Sequence, residues 1–241
     1  MSRTFRQRLA AGEPLLGTFI KTPSPMLCEV LAGSGLDVLC IDAEHSPFDR
    51  LAQDQCIHAV RSAGMASLVR VPTGAPEHLL NALDCGATGV VVPHVSTPEI
   101  AKQAGRAAHF GAGGRGYAGS TRAAGYTRKA MAAHLEDSAQ QTTVIAQIED
   151  VEALDAIDEI AAVDRVDCLF IGRIDLTVAL GAASPKDPVV IAAVEKICRS
   201  AGDAGRPVGM FVADLDELPR WRDAGASLFL LGSDHGFLLQ G

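Results

Sequence analysis

Residues 142–149 read TTVIAQIE and residues 166–175 read VDCLFIGRID. Each stretch contains a short apolar run, typical of a strand buried on both faces, and an acidic residue follows the run, Glu149 in the first and Asp175 in the second. In a chain that alternates strands with helices, the carboxyl ends of neighbouring parallel strands lie side by side. We therefore expect Glu149 and Asp175 to converge on one cation.

Similar apolar runs recur along the whole chain. The eight strand-like runs cover residues 15–20, 38–42, 67–71, 89–93, 144–149, 168–172, 208–212 and 228–232. Helical patterns lie between them, at residues 25–32, 51–62, 77–83, 99–109, 151–160, 189–201 and 215–222. Eight such units in 241 residues predict a (β/α)₈ TIM barrel, with residues 1–241 as a single domain.

Charge and residue composition indicate which kinds of molecule the protein binds. The net charge is −8, and the basic residues form no block beyond Arg3 to Arg8, which disfavours nucleic acid and anionic membranes. The N-terminus lacks the sustained apolar core of a signal peptide, and no transmembrane run is present. The six cysteines are dispersed without a C-x-x-C motif, as buried free thiols are. We expect a cytoplasmic protein that binds small molecules.

Polar residues collect where the predicted strands end. Any one of them fits a helix cap or a surface ion pair, but their joint placement indicates an active site at the barrel mouth. These residues are Lys21, Asp42 to His45, Arg70, Pro93 and His94, Gln147, Glu149, Asp175, Ala213 and Asp214, and Ser233 to His235.

Several of these segments carry a family resemblance that runs nearly end to end. The segments are DAEH at residues 42–45, VRVP at 69–72, GATGVVVP at 86–93, GRG at 114–116, QIE at 147–149 and IGRIDL at 171–176. They resemble the HpcH/HpaI aldolase family, the metal-dependent pyruvate aldolases of the 4-hydroxy-2-oxoheptanedioate and 2-dehydro-3-deoxyglucarate aldolase type. The resemblance implies a TIM barrel, a divalent metal, and reversible cleavage of 4-hydroxy-2-oxoacids to pyruvate or hydroxypyruvate and an aldehyde, in aromatic or sugar-acid catabolism.

The chemistry of the predicted mouth agrees with that activity. The oxygen ligands Glu149 and Asp175 suit Mg²⁺ or Mn²⁺, with Co²⁺ as a further candidate, and they leave room for a chelating 2-oxoacid. Zinc is disfavoured because no histidine is evident as a ligand. A bound cation polarises the ketone and stabilises the enolate formed when the C3–C4 bond breaks.

Three residues are candidates for the catalytic steps. Arg70 can donate a fork of hydrogen bonds to the enolate oxygen or to the carboxylate of the substrate, a role that the resemblance also implies. His45 is the candidate acid and base for the 4-hydroxyl group, because the ordinary pKa of histidine suits proton exchange near neutrality. Asp42, at the end of its strand, can orient water or the outer shell of the cation.

Other candidates bind substrate or complete the site. Gln147 alternates with Glu149 on one strand face and can reach the oxoacid, while Ile174 is implied by the resemblance to offer its backbone N–H to the carboxylate of pyruvate. The resemblance also pairs Asp84 with His45. Because Asp84 precedes the fourth strand, at the other end of its own barrel, it can reach a site only in a neighbouring subunit, which predicts a homo-oligomer, a hexamer by the resemblance.

The chain departs from the family pattern at two places. Arg173 and Ile174 stand where the family has Pro-Ala, beside the candidate ligand Asp175, which predicts a shifted substrate preference. The sequence ends at Gly241, soon after the eighth strand, and we expect it to lack the last C-terminal helix of the family.

Other interpretations remain open. A Schiff-base aldolase would use Lys21, an acyl-CoA lyase of the citrate-lyase type would need the basic residues between Arg115 and Lys129, and a non-catalytic metabolite-binding barrel would keep only the pocket. The glycine-rich segment 111–116 follows a helix rather than a strand, which disfavours dinucleotide binding. We expect it instead to lie over the barrel mouth with Tyr117, Arg122 and Tyr126.

Overall fold

Eight parallel strands close into a barrel in which each strand is hydrogen-bonded to the next in chain order and β8 to β1. The strands are β1 Leu15–Ile20, β2 Val38–Asp42, β3 Ala66–Arg70, β4 Gly89–Val92, β5 Thr143–Ile148, β6 Cys168–Ile171, β7 Val208–Val212 and β8 Ala226–Ser233. This computed structural model describes residues 3–241, so Met1 and Ser2 of the predicted domain lie outside the described residues. The predicted (β/α)₈ barrel is confirmed.

Helices follow the strands around the barrel. They are α1 Phe5–Ala10, α2 Pro25–Ala32, α3 Arg50–Ser62, α4 Pro76–Asp84, α5 Pro98–Ala108, α6 Met131–Gln141, α7 Val151–Asp155, α8 Ile157–Ala161, α9 Arg173–Ala179, α10 Pro188–Asp203, α11 Leu218–Asp223 and α12 Asp234–Gln240. A 3₁₀ helix, Leu215–Glu217, precedes α11. In the described part of the chain, no helix combines the length and apolar character needed to cross a membrane.

Local sequence sets where several helices begin. Four of them, α2, α4, α5 and α10, begin at a proline, whose fixed φ suits the first helical position and whose missing N–H is not needed there. The helix α3 begins after Asp49, whose carboxylate accepts a hydrogen bond from the Ala52 N–H at 2.8 Å. The predicted helix 151–160 is interrupted at Ala156 and forms α7 and α8.

Side chains alternate between the inside and the outside of the barrel. In β2, Val38 and Cys40 belong to the interior cluster, whereas Leu39 and Ile41 pack in the larger cluster that includes the surrounding helices. Asp42, two residues after Cys40, points inward by the same alternation. The same alternation leads from the interior residues Leu68 and Ile145 to Arg70 and Gln147, which places polar groups at the mouth.

The amino-terminal helix closes the opposite end of the barrel. Phe5 and Leu9 of α1 belong to the interior cluster, and Leu9 is only 1% exposed. Arg6 anchors the helix through a hydrogen bond from its Nε to Asp167 Oδ1, at 2.8 Å, just before β6. The helix therefore supplies the bottom layer of the core, a role that the sequence analysis did not assign to it.

Replacing Leu9 with alanine tests the contribution of this helix. We expect Leu9→Ala to lower the free energy of unfolding by about 2–5 kcal/mol, because it opens a cavity in a fully packed layer. Chemical denaturation followed by circular dichroism measures the change. The control is Leu239→Ala, at a side chain that is 88% exposed, which should change stability by less than about 0.5 kcal/mol. Equal effects of the two variants would contradict the assigned role of α1.

Candidate active site

A buried ion pair joins the ends of two neighbouring strands. Asp42 and Arg70 are register partners in β2 and β3, and Arg70 Nε and Nη2 donate to the two carboxylate oxygens of Asp42 at 3.0 and 2.9 Å. Lys21 Nζ lies 2.6 Å from Asp42 Oδ2, and the Arg70 guanidinium stacks over the Phe19 ring, 4.6 Å from its centroid. Burial raises the pKa of Asp42, but the hydrogen bonds and charge of Arg70 outweigh burial and lower it to about 2. Asp42 is therefore a permanent anion that fixes Arg70.

Two residues of the loop after β2 face the same guanidinium. Glu44 Oε2 lies 3.3 Å from Arg70 Nε, but this nitrogen already donates to Asp42. Burial raises the pKa of Glu44 more than the charge of Arg70 lowers it. The His45 N–H donates to Asp42 Oδ1 at 3.2 Å, and its imidazole, about half exposed, has Nε2 at 3.7 Å from Glu44 Oε2. His45 thus stands at the mouth, beside the Arg70–Asp42 pair.

The end of β5 carries a second buried carboxylate. Glu149 follows Ile148, is 3% exposed, and accepts a hydrogen bond at Oε2 from Gln147 Nε2. The neighbouring strand accommodates it by having Gly172 at its end, since a Cβ atom there would lie 2.7 Å from Glu149 Oε2 and 2.8 Å from Glu149 Cβ. The glycine at position 172 is therefore needed for the observed position of Glu149.

His94, after β4, completes a cluster that the sequence analysis did not assign. Its backbone N–H donates to Glu149 Oε1 at 2.9 Å, and its Nδ1 lies 3.1 Å from Asp150 Oδ1. Ligand atoms of Glu44, His94 and Glu149 all lie within 4.8 Å of one another. Burial lowers the pKa of His94, but the hydrogen bond to Asp150 and the charge of Glu149 outweigh burial and raise it. The sequence analysis found no evident histidine ligand and so missed His94, which lies beside these carboxylates.

The composition of this cluster fits a cation. Gln147 Oε1 is a buried oxygen without a hydrogen-bond partner among the described residues, and Glu44 Oε2 also lacks one, although it lies 3.3 Å from Arg70 Nε. Buried acceptors of this kind are costly unless something pairs with them. A divalent cation accepts both carboxylate and imidazole ligands, so Glu44, His94 and Glu149 are able to hold one.

The candidate ligand Asp175 is placed differently from this cluster. It lies exposed in the first turn of α9, three residues after Gly172, and does not belong to the group formed by Glu44, His94 and Glu149. Glu149 and Asp175 therefore follow neighbouring strands, as expected, but Asp175 does not join the cluster that contains Glu149. Ile174, also exposed, is the second residue of α9, where backbone N–H groups have no acceptor within the helix.

Arg173 points toward the segment that follows β7. Its Nη2 atom lies 2.6 Å from Glu217 Oε2, and its guanidinium stacks on the Trp221 ring at 5.2 Å from the centroid. The side chain is buried, so it anchors the start of α9 to the segment that follows β7. The guanidinium of Arg173, which was predicted to lie beside Asp175, instead packs against Glu217 and Trp221.

Asp84 lies at the end of α4, which leads into β4 at the amino end of the barrel, as expected from the sequence. Its carboxylate accepts a hydrogen bond from Arg115 Nη2 at 2.6 Å, and both side chains are nearly buried. Within this chain Asp84 is therefore paired with Arg115. Its predicted approach to His45 of a neighbouring subunit stays a prediction.

The glycine-rich segment packs on the flank of α3 and α4. Besides the Arg115–Asp84 pair, Arg122 forms a bidentate pair with Asp54 of α3, and Tyr117 packs against Phe110 and His134 with centroid distances of 5.6 and 5.8 Å. The predicted position of this segment over the mouth of its own barrel is wrong. A run of glycines indicates an irregular loop, but the partners of its side chains decide where the loop lies.

The residues of two alternative functions are engaged in ion pairs. The ammonium of Lys21 is bound to the buried carboxylate of Asp42, whereas a Schiff-base nucleophile must be the free amine. In the basic stretch that an acyl-CoA lyase would need, Arg115 and Arg122 are paired with aspartates and Lys129 lies 2.6 Å from Asp137 Oδ2. The fourth basic residue of that stretch, Arg128, donates to the Gly125 carbonyl oxygen, so most of both sets is engaged within the chain.

Comparison with known proteins agrees with the geometry of the mouth. Residues 15–240 match the family model described as HpcH/HpaI aldolase/citrate lyase. A hydroxypyruvate/pyruvate aldolase from Paraburkholderia phytofirmans is 33% identical over 98% of this chain and 93% of its own length. A 5-keto-4-deoxy-D-glucarate aldolase from Shigella boydii is 33% identical over 96% of this chain and 90% of its own length.

A solved structure shows the same architecture. It is that of an HpcH/HpaI aldolase/citrate lyase family protein from Burkholderia cenocepacia, which is 34% identical and superposes with a TM-score of 0.92 over 98% of this chain and 94% of that chain. The match covers the barrel and all the strand ends at the mouth. The protein belongs to the HpcH/HpaI aldolase/citrate lyase family, and the two curated relatives described above are aldolases.

Proposed function

We propose that this protein is a divalent-metal-dependent aldolase that reversibly cleaves 4-hydroxy-2-oxoacids into pyruvate or hydroxypyruvate and an aldehyde. One observation carries the proposal: Glu44, at the mouth of the barrel, lies close both to the guanidinium of Arg70 and to the carboxylate of Glu149. A 2-oxoacid offers an anionic carboxylate and a neighbouring ketone oxygen. A site that places a cation beside a guanidinium matches both groups.

Arg70 is the residue that binds the negatively charged oxygens of the substrate. Of its five N–H donors, two bond to Asp42, so the others remain for the substrate. The Asp42 pair fixes the guanidinium before the substrate arrives, so no reorganisation is needed as charge develops on the C2 oxygen. Gln147 and the backbone N–H of Ile174 bind the oxoacid in this proposal.

His45 moves the proton of the 4-hydroxyl group. In the cleavage direction the imidazole of His45 takes that proton, directly or through a water molecule. The C3–C4 bond then breaks, and the electron pair of this bond forms the enolate of the oxoacid. The aldehyde leaves, and protonation at C3 gives the product oxoacid. His45 is suited to this step because its imidazole is half exposed at the mouth while its backbone is held by Asp42.

Glu149 and Asp175 hold the cation in this proposal, with Mg²⁺, Mn²⁺ or Co²⁺ as the candidates. When bound, the cation acts as a Lewis acid on the 2-oxo group, a contribution of several kcal/mol. The relatives named hydroxypyruvate/pyruvate aldolase and 5-keto-4-deoxy-D-glucarate aldolase support a small oxoacid donor. A homo-oligomer, in which Asp84 approaches a neighbouring site, belongs to the same proposal.

Metal removal tests the function. Pyruvate release from a 4-hydroxy-2-oxoacid should vanish after treatment with EDTA and return with a divalent cation. Glu149→Ala should reduce kcat/KM roughly 100-fold or more, whereas the control Glu152→Ala, at an exposed residue of α7, should keep full activity. Activity that survives EDTA, together with borohydride trapping of pyruvate on the protein, would instead establish the Schiff-base mechanism of Lys21.

Gly172→Ala tests the packing that positions Glu149. The added methyl group would overlap Glu149 Cβ and Oε2, so the carboxylate must move, and we expect the affinity of the apoprotein for Mn²⁺ to fall by about tenfold or more. Isothermal titration measures the affinity. The control is Gly202→Ala in α10, where a Cβ atom meets no other atom within 4 Å and the affinity should not change. Unchanged binding in Gly172→Ala would show that Glu149 does not hold the cation.

Asp42→Asn tests the fixation of Arg70. The variant leaves a buried guanidinium without its counter-charge, so the free energy of unfolding should fall by about 3 kcal/mol or more and KM for the oxoacid should rise. The matched control is Asp54→Asn, which breaks the more exposed bidentate pair with Arg122 and should cost less than about 1 kcal/mol. If the two variants have equal stability and kinetics, Asp42 does not position Arg70.

A further inference from the structure

His94 has an unusual backbone conformation for its residue type. It follows Pro93 at the end of β4 and has φ of 55°, in the left-handed region that side-chain-bearing residues seldom occupy. Such a conformation persists only where surrounding contacts compensate for its cost, and it occurs most often at functional sites. Here the compensating contact is the hydrogen bond from its N–H to Glu149 Oε1.

This backbone turn sets the direction of the imidazole. Nδ1 lies 3.1 Å from Asp150 Oδ1, so a proton on Nδ1 is donated to that carboxylate. The lone pair of Nε2 then faces Glu44, with Nε2 at 3.7 Å from Glu44 Oε1. A histidine whose one nitrogen donates to a carboxylate while the other is free has the arrangement of a metal-ligating histidine.

The facing carboxylates have the spacing of ligands. The side chain of Glu44 is 9% exposed, and its Oε1 is the oxygen that lies 3.7 Å from His94 Nε2. Ligand atoms bound at about 2.0–2.2 Å to one ion lie roughly 3–4 Å apart. The ligand atoms of Glu44, His94 and Glu149 lie within 4.8 Å of one another, so a small adjustment of side chains brings them to one cation.

We propose that Nε2 of His94 is a metal ligand together with Glu149 and Glu44, and that this nitrogen makes the site prefer Co²⁺, Zn²⁺ or Mn²⁺ to Mg²⁺. The preference follows from ligand chemistry, because imidazole suits first-row transition metals, whereas Mg²⁺ takes oxygen ligands and retains several waters. This inference rests on the metal dependence proposed above. Its ligand set differs from the pair Glu149 and Asp175, because it joins the His94 nitrogen and the Glu44 carboxylate to Glu149.

The test is cation binding to the apoprotein, independent of turnover. Isothermal titration with Co²⁺, Zn²⁺, Mn²⁺ and Mg²⁺ compares the wild type with His94→Gly, which removes the imidazole and tolerates the left-handed backbone. We expect the affinities for Co²⁺ and Zn²⁺ to fall about tenfold or more and that for Mg²⁺ to stay within about twofold. The matched control is His235→Ala, at another exposed histidine of the rim, whose Nε2 lies 3.1 Å from Thr22 Oγ1, and it should bind all four ions as the wild type does.

A second readout keeps the test decisive if His94→Gly is poorly folded. His94→Asn also tolerates a positive φ and retains a polar side chain, and circular dichroism establishes that it is folded. In pulsed electron paramagnetic resonance, the Mn²⁺-loaded wild type should show modulation from a directly bound ¹⁴N nucleus, and His94→Asn should lose it. His45→Gln serves as the control for the other histidine at the mouth and should keep the signal.

The outcomes separate this inference from the proposed function. If the wild type needs a cation for cleavage but His94→Gly and His94→Asn bind Co²⁺ and Zn²⁺ as tightly as the wild type, His94 is not a ligand and the aldolase proposal stands. If Mg²⁺ affinity falls as much as Co²⁺ affinity, His94 acts only by holding Glu149, and the inference is overturned. If the wild type binds none of the four cations, both proposals fail.

Discussion

Arg70 and Asp42 meet side by side at the carboxyl ends of β3 and β2, and both are largely removed from water. Removing two charges from water is costly, and the cost is recovered only where the geometry is good and the remaining donors and acceptors are satisfied. Asp42 meets this condition by accepting hydrogen bonds from Arg70, Lys21 and the backbone of His45. These hydrogen bonds occupy the acceptor positions of Asp42, so Asp42 is not available as a cation ligand. The remaining donors of Arg70 stay free.

The charges of the mouth follow from this pairing. Arg70 and Lys21 carry two positive charges and both pair with the single carboxylate of Asp42, which cancels one of them. The side chains of Glu44 and Glu149 are only 9% and 2% exposed, and the imidazole of His94 lies near both. Two carboxylates so close to one another would repel when both are ionised, and a cation that pairs with both would relieve that repulsion. The strand ends thus bring a group of Arg70, Lys21 and Asp42 next to a group of glutamates and a histidine, and in the proposed function these two groups bind the oxoacid and the cation.

The part of this arrangement that depends on strand periodicity was predictable from the sequence. Apolar runs located all eight strands to within two residues, and the alternation of side chains brought Asp42, Arg70 and Gln147 to the mouth. The position of His94 in the cluster was not predictable, because the left-handed backbone that places its imidazole beside Asp150 and Glu44 has no signature in sequence. Its position immediately after β4 was the available signal. The loop at 111–116 was misplaced for a related reason: its location is set by the Arg115–Asp84 pair, a contact between distant positions.

Glu44 is the residue through which the separate parts of the site interact. Its carboxylate lies 3.3 Å from Arg70 Nε and 3.7 Å from both His45 Nε2 and His94 Nε2, so it contacts the guanidinium and both imidazoles of the mouth. Within this chain the carboxylate nearest to the imidazole of His45 is therefore Glu44, while Asp84 is held by Arg115 at the other end of the barrel. In the proposed function the cation would lie beside the same carboxylate, so Glu44 would couple the cation to the group that moves the proton.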